Sequence, residues 1–152
     1  MAQNIEKYHH YCFALNRGFS PNEWVAFLKE HSTNDVVKEY KGFKYNICDI
    51  CLNPSIKRFI IPNMICCEIQ TAESEGGWSY GYNFTYSQGS ALGGAKYKIA
   101  NAKGVFSSEK KAIESALRQA ISYCEYHNIG HSAINEIRRH IADTRQLNLF
   151  EA

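Results

Sequence analysis

Neither charge sign dominates this chain, no hydrophobic run is long, and proline is scarce, at three residues. Basic side chains number 17 and acidic ones 15, leaving a net charge of +2 over 152 residues. No global field therefore draws the protein to nucleic acid or to a membrane surface, and any such binding needs a local patch. The longest apolar stretch, Phe59-Ile60-Ile61 with Met64 to Cys67, is broken by Pro62 and Asn63. It falls short of the roughly 20 residues that cross a bilayer. The opening residues, Met1 to Lys7, lack the apolar segment of a signal peptide. These absences predict a cytoplasmic protein with no membrane partner, whose six cysteines stay reduced. Paired-carboxylate, nucleophile and His-Glu-x-x-His signatures are also missing, so the expectation is a non-enzyme that needs no cofactor.

What is present supports one domain with a real core: 45% hydrophobic and 13% aromatic residues. Tyr8, Tyr11, Cys12 and Leu15 share one face at helical spacing and predict a helix over 5–15 that ends before Gly18. Ser20-Pro21-Asn22-Glu23 has the form of a capping box with proline at the first helical position. It predicts a second helix through Trp24, Phe27 and Leu28, stopping near His31. Val36, Val37 and Tyr40 can extend a helical pattern, whereas Phe43, Tyr45 and Ile47 alternate like a strand until Asn53-Pro54.

Alternation of Ile65, Cys67, Ile69 and Thr71 predicts a strand over 64–73, and Glu75-Gly76-Gly77 a hairpin turn. Trp78, Tyr80, Tyr82, Phe84 and Tyr86 then take every odd position, with small or polar residues between them. Period two places all five rings on one sheet face. A Gly/Ser/Ala loop over 88–95 and a third strand over 96–100 are expected to follow. Ser107 or Ser108 caps a long helix with Ile113, Ala116, Leu117, Ala120, Ile121 and Cys124 on one face, closed by Gly130. A shorter helix holds Ile134, Ile137 and Ile141. The fold class is α+β: an N-terminal helical pair, then a three- to four-stranded antiparallel meander packed on the long C-terminal amphipathic helix. The expected organisation is a single domain over 1–142 with a peptide tail over 143–152. Ala112, Ala116 and Ala120 leave room for the facing rings, so the long helix is expected to lie on the aromatic strand.

Several clusters invite a chemical role. Rings on a sheet beside Lys96 and Lys98 can stack single-stranded nucleic acid, with Tyr80 and Tyr86 reaching the sheet edge, but five rings facing an alanine-lined helix fit a core better. Arg138 and Arg139 make a basic approach to the tail, suited to phosphate or simply to a helix C-terminus. Cys48, Cys51, Cys66 and Cys67 count as four zinc ligands, yet neighbouring cysteines in a strand point to opposite faces, and small buried hydrophobes are the default. Cys124, His127 and His131 have ligand-like spacing, but the histidines read most simply as surface residues near a helix C-terminus, where a cation is favoured. Gly89 to Lys96 fails as a phosphate loop, because its lysine falls a place late and Tyr97 stands where a Ser or Thr would bind Mg²⁺.

The chain's last residues carry the sharpest signal. Gln146-Leu147-Asn148-Leu149-Phe150 resembles the peptide by which bacterial DNA polymerases, mismatch-repair proteins and other replication factors bind the sliding clamp. The family pattern is Gln, Leu, a small polar or acidic residue, Leu, Phe, with Asn148 the one conservative departure. The resemblance implies that Leu149 and Phe150 fill a hydrophobic pocket, with Leu147 as a third anchor and the Gln146 amide hydrogen-bonding beside them. It covers five residues and leaves the rest of the fold unassigned. The expected function is an accessory protein of bacterial DNA metabolism, of a size that suits a phage or mobile element, docked on the clamp by its tail. Its body would hold single-stranded DNA or another protein. The rival expectations are an interaction module or inhibitor with a structural tail, and a small zinc domain.

Overall fold

The structure is a computed structural model that describes residues 17–88, 91–97 and 105–150, with side chains described for 17–86 and 105–145. The helix expected over 5–15 lies outside the described residues.

The capping box works as its sequence implies. Ser20 Oγ accepts from the Glu23 amide at 3.3 Å, Glu23 reaches back to the Ser20 amide at 3.3 Å, and helix α1 runs Pro21–Glu30. This helix buries Trp24 in a small cluster with Cys48 and Ile50, separate from the main core. Of the expected N-terminal helical pair, only this second helix lies within the described residues. Residues 36–40 also depart from the helical option: Lys38–Tyr40 forms β1 and Phe43–Tyr45 forms β2, a two-stranded antiparallel sheet. Lys41 and Gly42, with φ of 46° and 88°, make the reversal that ends any helix there. Tyr45, fully buried, donates from its hydroxyl to the Glu73 carbonyl and pins this hairpin to the main sheet.

That sheet is a four-stranded antiparallel meander in the order β3 (Ser55–Arg58), β4 (Met64–Ser74), β5 (Gly77–Gln88), β6 (Ala91–Tyr97). Strand β3 went unread in the sequence because all four of its residues are exposed and carry no alternation. In β4 Cys67, Ile69 and Thr71 pair with Phe84, Tyr82 and Tyr80 as the alternation implies, but Glu68, Gln70 and Ala72 between them are buried too. Ile65 is the exception: the register shifts between Met64 and Cys66, and Ile65 is left 61% exposed. The Gly/Ser/Ala segment expected as a loop is largely strand. Gly93 pairs with Tyr86, Gly94 with Thr85 and Ala95 with Phe84, so small residues lie across from large ones in a continuous ladder.

Ser108 caps helix α2, Glu109–Tyr126, whose buried face is Ala112, Ile113, Ala116, Leu117, Ala120, Tyr123 and Cys124. The three alanines let it approach β4 and β5 closely, and Phe84 is fully buried beneath it. Gly130, at φ 113°, turns the chain into α3, His131–Phe150. At 20 residues, α3 exceeds the 18 of α2, which reverses the expected order of lengths. Ala133, Ile134, Ile137 and Ile141 complete the core from its side.

Candidate partner-binding site

Helices α2 and α3 form the surface on which the basic residues and the C-terminal peptide meet. Their polar sides carry four described arginines. Arg118 reaches Glu114 one turn back at 2.9 Å, and Arg145 reaches the same carboxylate from α3, its Nε at 2.9 Å. These two guanidiniums, Arg145 foremost, hold the Glu114 carboxyl below its ordinary range. Arg139 bonds Glu136 and Asp143 on its own helix. Arg138 makes no hydrogen bond or ion pair among the described residues. It lines an open groove of about 470 Å³ between the helices, together with Arg118, Ile121, Ser122, Glu125 and Ile141.

The last buried residue described on α3 is Ile141, whereas its backbone stays helical to Phe150, more than two turns further. The Arg145–Glu114 pair is the final described side-chain tie between α3 and α2. The side chains of Gln146, Leu147, Leu149 and Phe150 lie outside the described residues.

The described nucleic-acid candidates divide between two elements, the tyrosines on β5 and the arginines on α3. Tyr80 and Tyr86 belong to the ring face that α2 covers. Tyr80 sits 5.8 Å from Phe106, centroid to centroid. The Tyr86 hydroxyl lies 3.2 Å from His127 Nδ1 while its ring meets Tyr123 edge-on. Phe84 is sealed and Tyr80, Tyr82 and Tyr86 are half-buried, so the described rings offer no open stacking platform. The backbone of Lys96 is in β6, paired with Asn83, and its side chain lies outside the described residues, as does all of Lys98. Arg138 and Arg139 are on α3, away from the ring face.

The four cysteines weighed as zinc ligands do not converge. Cys48 packs with Trp24, Cys51 with Tyr45 and Ala72, and Cys67 in the main core under α2. Among the described residues no three His, Cys, Asp or Glu side chains come together as a metal site. Burial pushes the Cys67 thiol up to about 12 and those of Cys48 and Cys124 to about 11, which marks them as neutral core groups. The Cys48–Cys51 turn is instead organised by Asn46. Its Oδ1 accepts from the amides of Cys48 at 2.9 Å and Ile50 at 3.0 Å, and its Nδ2 donates to the Thr33 carbonyl. His127 is half-buried in an aromatic cluster rather than on the surface, Cys124 Sγ lies against Met64 Sδ at 3.9 Å, and His131 is exposed at the start of α3.

Sequence reasoning missed the groove and the Glu114–Arg145 tie. The only available signal was Arg118, Ser122 and Glu125 at i, i+4 and i+7 on the polar side of a helix. Comparison with protein-family models, curated proteins and solved structures finds no match to this chain.

Proposed function

We propose that this chain is a non-enzymatic accessory protein of bacterial DNA metabolism that docks on the DNA sliding clamp through Gln146, Leu147, Leu149 and Phe150. The observation that carries the reading is the helical period of α3. Ile141 is the last buried side chain described on it, and continuing the period of 134, 137 and 141 gives positions 144, 145 and 148. Leu147, Leu149 and Phe150 are not in that series. A terminal helical turn whose apolar residues fall off the core-facing period opens at little cost, and so suits a partner's pocket without disturbing the body. Tethering by such a peptide raises the body's local concentration at replicating DNA, with only modest affinity required of either part.

The test is retention by immobilised bacterial clamp. Wild-type protein is expected to be retained, and the Leu149→Ala/Phe150→Ala double variant to wash through. Equal retention of both, or of neither, refutes the reading.

A further inference from the structure

We infer that the Arg145–Glu114 ion pair is a latch on clamp docking: it holds α3 in helical register against α2 up to the residue before Gln146, and it opens as the peptide enters its pocket. This rests on the clamp reading and names the regulation of that same site. Helix geometry makes an opening necessary. Residues advance by about 100° each around an α-helix, so Leu147 and Leu149 stand roughly 160° apart on α3, whose backbone is helical to Phe150. One pocket cannot meet both sides of a helix, so the three apolar anchors enter together only after the helix end unwinds.

Gln146 follows directly on Arg145, the pinned residue. Two guanidinium nitrogens of Arg145 bond one oxygen of Glu114, Nε at 2.9 Å. No other described ion pair joins the two helices: Arg118 reaches Glu114 within α2, and Arg139 reaches Glu136 and Asp143 within α3. The tie is also suited to opening and closing. The Arg145 side chain is 60% exposed and that of Glu114 21%, so neither charge is sealed from water. When Arg145 leaves, Arg118 remains on the carboxylate at 2.9 Å, and Glu114 is not stranded without a cation. A pair this exposed shifts an equilibrium by roughly two- to fivefold, enough to tune docking without blocking it.

The first measurement needs no clamp. In the intact protein, Glu114→Gln is expected to quicken hydrogen exchange at the amides of 146–150 by roughly two- to fivefold, while those of 134–141 keep their protection. The second is calorimetric titration into purified clamp. Glu114→Gln should bind tighter by the same factor, whereas Glu136→Gln, which removes an ion pair inside α3, should bind as wild type. Unchanged exchange in Glu114→Gln overturns the latch whatever the clamp does. Faster exchange with unaltered clamp affinity overturns it too, as does an equal gain in Glu136→Gln. Faster exchange with no clamp binding by any form is the failure of the clamp reading itself, and takes the latch's part in docking with it.

Discussion

Asn46 shows how much one buried side chain can organise. It is 2% exposed, and its amide closes the turn through Cys48 and Ile50 while holding Thr33. Asn46→Ala leaves two buried amides without an acceptor and should cost about 2–4 kcal/mol in urea unfolding. The cysteines give a second test at this scale. Burial, with the neighbouring Cys124 and Cys66 adding to it, raises Cys67 from 9.0 to about 12. A thiol whose ionisation is raised on folding contributes its full stability below the unfolded value and loses it as pH rises toward the folded one. Unfolding free energy should therefore decline between pH 9 and about 12, with Cys67→Ser flattening that decline. Cys66, partly exposed at the β4 bulge, should react with a thiol reagent before Cys67 or Cys124.

At the scale of elements, the contact between α2 and the sheet depends on small residues. Ala112, Ala116 and Ala120 are fully buried opposite the rings of β5. Ala116→Leu should cost about 1–3 kcal/mol by overpacking, measured as a lowered denaturation midpoint, whereas Ala→Leu on an exposed face would not. The same contact marks where the sequence was legible. Five alternating rings and a helix striped with alanine each have a strong period, and each period names its partner. Strand β3 has no stripe because nothing covers it, and β6 read as loop because glycine signals turns until its cross-strand partner is known. Val36 and Val37 fitted a helix locally, but the turn at Lys41–Gly42 decides for a hairpin. As for the site, the Gln146–Phe150 peptide was readable as a motif. That Ile141 is the last described buried side chain on α3 was not, since burial depends on how α3 packs against α2 and the sheet. The groove was hidden for a related reason: Arg118 and Arg138 are distant in sequence and meet only when two helices pair.

For the whole molecule, the layout separates two tasks. The sheet, α2 and α3 as far as Ile141 supply the described core, and the α3 backbone continues to Phe150. No described helix is long and apolar enough to cross a membrane. A body built this way can tolerate change in its final residues: truncation after Asp143 should leave the thermal midpoint nearly unaltered, because the described core contacts end before it. The most direct measurement is calorimetric titration of the intact protein into purified bacterial sliding clamp, repeated with a synthetic Arg145–Glu151 peptide as competitor. The account predicts saturable binding that the peptide displaces and that Leu149→Ala/Phe150→Ala abolishes. Heat of binding that persists in the double variant, or no binding by the intact protein, would contradict it.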